Sequence, residues 1–364
     1  MLYAYWSICI IVILMYAIGH QKSQMFKKFC LFLVFIFLFI MSGWARGAYD
    51  VEIGISRFIN YSRFESITEI GFSTLIQFAY KFGFNYRSFY VLCSLLELIV
   101  MLWFVEKNCP KSPIVFFLFL IYPLTVYLQY TRNVLAMAFI YMAFDALLNK
   151  PKRYIIKYCL LVLLASSIHL SSLFFGVFLI LDVMNRKNVI IGTVALFVIL
   201  YMARGLQLYE SVIIDFIGKD KADIVLGTTS ADGAFGRSFS VAFTIVMFFL
   251  IFFILERVYK IDLSDRNAQL LYKINFFFVI LIPLSINYGV GFARIITLFL
   301  PLNFVFYVDR ISKIKGQKRR LAVYSIVVLF LVGSWILSFR NEEYRRLVLI
   351  PFFEQNELMY RLMN

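Results

Sequence analysis

The sequence has 364 residues, 62% of them hydrophobic and 16% charged. A soluble protein of this length is about half apolar and a quarter charged, so this composition excludes a water-soluble core and points to a polytopic membrane protein. The net charge of +15 would suggest a nucleic-acid partner in a soluble protein; in a membrane protein Lys and Arg instead mark loops on the negatively charged cytoplasmic face, so no nucleic acid is expected.

Apolar runs fall at about 3–19, 29–45, 88–105, 113–130, 132–149, 155–168, 170–183, 188–203, 239–257, 270–286, 295–309 and 321–338. They predict an all-α integral membrane protein with about 12 transmembrane helices in one polytopic domain, 1–364. The first run has no basic flank and no small-residue cleavage site, so it is read as a span rather than a signal peptide. The cysteines Cys9, Cys30, Cys93, Cys109 and Cys159 stand singly, with no metal spacing and no disulfide framework.

The stretch 155–181 allows one tilted helix or two short ones meeting at "SSIHLSS". Lys150, Lys152, Arg153 and Lys157 precede it, and Arg186 and Lys187 follow it. Two cytoplasmic clusters require an even number of crossings between them, which favours a tight hairpin buried by its neighbours. Cytoplasmic loops then fall at 20–28, 106–112, 150–157, 184–188, 257–269 and 310–320. External segments are both termini, 46–87, 129–132, the turn at His169, 204–238 and 287–294. Lysine splits 13 inside to 3 outside, whereas arginine splits 7 to 12. The external cations are thus mostly planar forks suited to phosphate or carboxylate.

In the first external loop, Ile70, Phe72, Leu75, Ile76, Ala79 and Phe82 follow helical spacing, which predicts a helix over 69–84 lying on the membrane. The polar, glycine-rich second loop, 204–238, reads as a lid over a site. The chemistry gathers on the external side. Arg132 stands at the head of a helix, where backbone N–H groups already favour an anion; alternatively it snorkels to headgroups. The small Ala136 and Ala138 below it allow close helix packing. His169 at the hairpin tip is a general base, a phosphate donor or a polar turn residue. Arg294 follows Gly289 and Gly291 at another external helix start. Arg46, Asp50, Glu52, Glu65 and Glu69 add one cation and four carboxylates, some of which could pair with the arginines. Mid-span Glu97 is either functional or a partner for Lys273.

No P-loop, Rossmann glycine fingerprint or H-E-x-x-H motif is present. External chemistry without nucleotide needs a substrate carrying its own leaving group, as a lipid-linked diphosphate sugar does. Clustered arginines would hold its diphosphate and stabilise the charge that grows on bond cleavage.

The stretch 127–181, with Arg132, Ala136, Ala165, Ser166, His169 and Ser171, resembles the EpsG/Wzy-type bacterial O-antigen (polysaccharide) polymerases. So do Arg46, Asp50, Glu69, Gly71 and Phe72 in the first loop, and Arg294 ahead of Pro301. The resemblance covers roughly 45–310. It implies a fold similar to class C glycosyltransferases and O-antigen ligases. It implies an enzyme that moves a growing glycan from undecaprenyl diphosphate onto a lipid-linked repeat unit, at the periplasmic face of the bacterial inner membrane, where 46–87 and 204–238 become periplasmic loops. Arg132, Arg294 and Arg46 are then expected to bind the diphosphate. His169 would contact it or deprotonate the acceptor, with Asp50 and Glu69 as alternative bases. No cofactor or metal is expected; the bilayer, the lipid-linked oligosaccharide and a chain-length regulator protein are the expected partners. The rival readings are a flippase or transporter of lipid-linked oligosaccharide, and a membrane ligase or acyltransferase using the same Arg/His logic.

Overall fold

The computed structural model describes residues 24–44, 55, 58–60, 69–124, 131–203, 231–287, 290–339, 342, 346, 356 and 358, and no strand occurs among them. Among the described residues, six helices are long and apolar enough to cross a membrane: Gln24–Trp44, Tyr86–Asn108, Phe239–Val258, Arg266–Ser285, Arg294–Ser312 and Gln317–Ser338. The chain is a multi-pass, all-helical membrane protein. Several of the twelve apolar runs form shorter pieces, and 3–19 lies outside the described residues.

The chain divides into two compact units, one of Met1–Gly176 with Phe339–Asn364, the other of Val177–Ser338. The first contains α1 (Gln24–Gly43), α2 (Ile70–Lys81), α3 (Tyr86–Asn108), α4 (Ser112–Ile121), α5 (Thr131–Asn149) and α6 (Tyr154–Ile168), followed by a 3-10 helix, Leu170–Gly176. Within the run at 113–130, α4 ends at Ile121, just ahead of Tyr122 and Pro123: a proline withholds a backbone N–H and disfavours helix in the residue before it, and 125–130 lies outside the described residues. Within 46–87, α2 is the helix expected over 69–84, and α3 starts at the end of the segment, where Asn85 Oδ1 accepts the Ser88 N–H at 2.8 Å.

Helix α5 is the centre of this unit. It packs on α3 and α6, and Val134–Ala138, Ile140, Tyr141 and Ala143–Leu147 are all buried. An apolar helix buried on every side needs short side chains, and Ala136, Ala138, Ala143 and Ala146 let neighbouring backbones approach. A turn with positive φ at Lys150 and Arg153 reverses the chain into α6. At this end, buried Asp145 accepts from Lys107 Nζ at 2.8 Å and from Asn149 Nδ2 at 2.9 Å.

The second unit contains α7 (Val177–Val183), α8 (Arg186–Ala203), α9 (Ala231–Phe253), α10 (Arg266–Phe277), α11 (Leu281–Asn287), α12 (Val290–Ser312) and α13 (Gln317–Ser338). Helix α9 begins at Ala231, inside the stretch read as the second loop, and 204–230 lies outside the described residues. A 3-10 turn, Phe278–Ile280, joins α10 to α11 just ahead of Pro283, which cannot donate to the preceding turn. Phe178, Phe278 and Phe299 form an aromatic cluster with centroids 5.0–6.1 Å apart. Lys273 donates to the backbone carbonyls of Asp182 and Met184 at 3.2 and 2.8 Å, where α7 ends, and Arg266 pairs with Asp182 at 2.6 Å. Glu97 is fully buried in α3 of the first unit.

Asn275 of α10 and Asn303 of α12 are both fully buried and exchange two amide hydrogen bonds of 2.9 Å. Replacing either one alone strands the other amide, at about 1–2 kcal/mol. Asn275→Leu and Asn303→Leu are each expected to lower the thermal midpoint in detergent. The double variant should lose less than the sum of the two, which a double-mutant cycle reads directly.

Candidate functional site

Three side chains of the first unit converge where α2 begins, α5 begins and α6 ends. Glu69 precedes the first residue of α2, Arg132 is the second residue of α5, and His169 follows α6. Glu69 does not cap its own helix with its side chain. Its Oε2 accepts from Arg132 Nη1, and its Oε1 lies 3.1 Å from His169 Nδ1. One carboxylate therefore holds both cation-capable groups, and the cluster sits at the opposite end of α5 from Asp145.

Two features of the sequence bring Glu69 there. Gly71 lies against the end of α6: a Cβ on it would stand 2.3 Å from Ser167 Oγ and 3.1 Å from the Ser167 carbonyl carbon. Only glycine permits that approach without displacement. Phe72 then turns inward, with the Arg132 guanidinium 6.0 Å from its ring centroid and the Phe89 ring tilted against it at 5.9 Å. Ser166 and Ser167 donate their hydroxyls to Leu163 and Leu164 carbonyls at 2.8 Å, satisfying the last turn of α6. His169 takes an extended conformation, and the chain continues as the 3-10 helix. Tyr158 of α6 ties that helix back by donating to the Phe175 carbonyl at 2.6 Å.

The electrostatics follow from depth. The Glu69 side chain is 7% exposed, against 27% for Arg132 and 22% for His169. Burial alone would raise the Glu69 carboxyl. The His169 hydrogen bond and the charge of Arg132 outweigh it and hold the group at about 2. Glu69 is thus ionised at neutral pH and a weak proton acceptor. The two cation-capable groups lie over it and present their outer edges. Among the described residues, the Arg132 guanidinium donates only to Glu69, and a guanidinium carries five N–H groups in all. This arrangement suits an anion arriving at Arg132 beside a proton acceptor at His169.

Of the residues expected at a site, the structure brings together Glu69, Arg132 and His169. Arg294 belongs to the second unit, half-buried on the first turns of α12. Arg46 and Asp50, with Glu52 and Glu65, lie outside the described residues. Residue type alone left four carboxylates equivalent; the family resemblance singled out Asp50 and Glu69 as alternative bases and named Gly71 without giving it a physical task, and the glycine two residues past Glu69 was the available signal. Among the described residues no group of three or more His, Cys, Asp or Glu side chains could hold a metal ion.

Compared with known proteins, residues 28–352 match the model of the EpsG family. No curated protein and no solved structure matches the chain.

The folded state lowers the Glu69 carboxyl from 4.5 to about 2, so it favours the ionised form. The resulting stabilisation is complete above the ordinary carboxyl value and is lost as pH falls through the lowered one. Glu69→Gln should therefore be less stable than the wild type at pH 7, by about 1–3 kcal/mol. The gap should close as pH is taken from about 5 to about 2. Thermal unfolding in detergent across that range checks it.

Proposed function

The chain belongs to the EpsG family, and on that premise we propose that it is a polysaccharide polymerase working at the external, periplasmic face of the bacterial inner membrane. It transfers a growing glycan from undecaprenyl diphosphate to a lipid-linked repeat unit, on a scaffold of about twelve spans similar to class C glycosyltransferases. The observation that carries this reading is the single carboxylate, Glu69, gripping both an arginine and a histidine at one end of the α5 and α6 pair. Anion binding and proton removal are the two things this transfer needs.

In this mechanism Arg132 binds the donor diphosphate, with Arg294 and Arg46 as further ligands. His169 Nδ1 is engaged with Glu69, so its chemistry goes through Nε2. An acceptor hydroxyl attacks the anomeric carbon of the donor glycan and its proton passes to Nε2. The bond from that carbon to the diphosphate oxygen breaks, and the electron pair leaves with undecaprenyl diphosphate. Arg132 stabilises that growing negative charge, and Glu69 stabilises the imidazolium. Asp50 is the other carboxylate proposed near this step, and a chain-length regulator protein is the proposed partner.

Purified protein given a lipid-linked single repeat unit should produce a ladder on a gel, and the ladder should persist in EDTA. Arg132→Ala and His169→Ala should each reduce chain growth about 100-fold or more while the protein stays in the membrane. Wild-type chain length in Arg132→Ala would overturn the reading, as would no ladder from folded wild type with its cognate substrate.

The Gly71 contact makes a separate demand. Gly71→Ala must push α2 off Ser167 and carry Glu69 with it. Chain growth should fall about tenfold or more, since misplacement of about 1 Å is enough for such a loss. Ser167→Gly in the same chain removes the Oγ and Cβ in the way and should restore part of the rate.

A further inference from the structure

We propose that Glu69 is a positioning residue that couples the two substrates: one oxygen holds the donor-side Arg132 and the other the acceptor-side His169, so a diphosphate seated on Arg132 makes His169 a stronger base. This rests on the polymerase reading and assigns Glu69 a task distinct from taking the proton itself.

The argument starts from the geometry. Glu69 Oε1 stands 3.1 Å from His169 Nδ1 while Oε2 accepts from Arg132. An ionised carboxylate at Nδ1 keeps the proton on that nitrogen, which fixes the tautomer and leaves the Nε2 lone pair as the basic position. The same carboxylate stabilises the imidazolium once Nε2 is protonated. Arg132 works against this. Its positive charge engages the carboxylate and opposes a second positive charge beside it, so with Arg132 unneutralised His169 holds a proton less tightly. A diphosphate on the outer edge of Arg132 cancels that charge. The full field of Glu69 then falls on His169, and the acceptor hydroxyl is deprotonated only when a leaving group is in place.

Of the other charges on the packed elements, Arg87 lies in the first turn of α3, which packs on α5, and donates to the Gly43 carbonyl at 3.4 Å, with Glu97, Glu106 and Lys107 farther along that helix; those on the remaining elements are remote. Besides Glu69 and Arg132, α2 carries Lys81, α5 carries Asp145 and α6 carries Lys157. Each is about 18 Å or more along its helix from the cluster, at about 1.5 Å per residue. The 3-10 helix Leu170–Gly176 carries no charged residue. Geometry also argues that Glu69 stays in place: it is less exposed than either partner and is anchored by the Gly71 contact.

The chain has two histidines, so His20→Gln leaves His169 as a single imidazole for nitrogen-15 NMR of the full-length protein in nanodiscs. Adding undecaprenyl diphosphate should make His169 bind its proton about tenfold more tightly. In this background Glu69→Gln should loosen the proton about tenfold and abolish the preference for Nδ1–H. Glu69→Asp should retain the response in weaker form, and Arg132→Gln should raise the resting affinity and lose the response to diphosphate. A folded protein whose His169 titration ignores the diphosphate overturns the coupling, as does a folded Glu69→Gln with unchanged tautomer and affinity. If the ladder depends on His169 while its titration ignores the diphosphate, the coupling fails and the polymerase reading stands. A shifted titration with no ladder from the cognate substrate overturns the polymerase reading.

Discussion

An arginine at the head of a buried helix needs a counter-charge, and Glu69 supplies it. Helix α5 is enclosed on nearly all sides by α3 and α6, and the Arg132 side chain at its head is itself only 27% exposed. An isolated guanidinium there would cost several kcal/mol. The same holds for a carboxylate as deep as Glu69, 7% exposed in its side chain. Each makes the other tolerable, and His169 joins as a third member that can adjust its charge. Sequence positions 69, 132 and 169 are thereby tied into one cluster, and α2 is fastened to the α5–α6 pair.

The rest of the first unit serves that fastening. Alanines on α5 bring its neighbours close, the absence of a side chain on Gly71 lets α2 reach Ser167, and Phe72 fills the space beneath the guanidinium. The other end of the same helices follows the same rule with different residues. Asp145 is buried and surrounded by Lys107, Asn108 and Asn149. In the second unit Asp182 is held by Arg266, and Arg310 pairs with Asp265, which also caps α10. In all these cases the charge sits near a helix end and meets a partner. Deeper in the second unit the polar pairing is between neutral amides, Asn275 and Asn303, as the cost of charge in hydrocarbon requires.

Much of this was legible in the sequence because hydrophobic runs and basic loops report directly on membrane topology. The break at His169 followed from two basic clusters that had to share a side, and the helix over 69–84 followed from apolar spacing; α2 and the end of α6 match both. What the sequence hid were properties of pairs distant along the chain. Glu69 was named beside Asp50 as an alternative base, and its pairing with Arg132 and His169 shows only once α2 folds against α6. Asn275 and Asn303 are 28 residues apart, and nothing local marks either as the other's partner. The end of α4 at Ile121, inside an apolar run, was hidden because hydropathy registers Pro123 and its neighbours as apolar, whereas the backbone registers a missing N–H.

In the proposed mechanism, a bare arginine and histidine would bind the diphosphate more strongly than the trio would, so the carboxylate needs a reason beyond affinity. With His169 neutral, the charges of Arg132 and Glu69 cancel, and the site can stand in a low-dielectric setting without a ligand. An arriving diphosphate competes for one partner of an existing pair rather than for a naked charge. It therefore binds less tightly in the ground state, which is compatible with turnover, because tight ground-state binding does not lower the barrier to the chemical step. In that mechanism the charge that develops on the leaving oxygen meets the guanidinium, and the proton that arrives on His169 meets the carboxylate. A pre-paired trio thus favours the separated charges of the transition state over the resting complex, which a simple anion trap would not do.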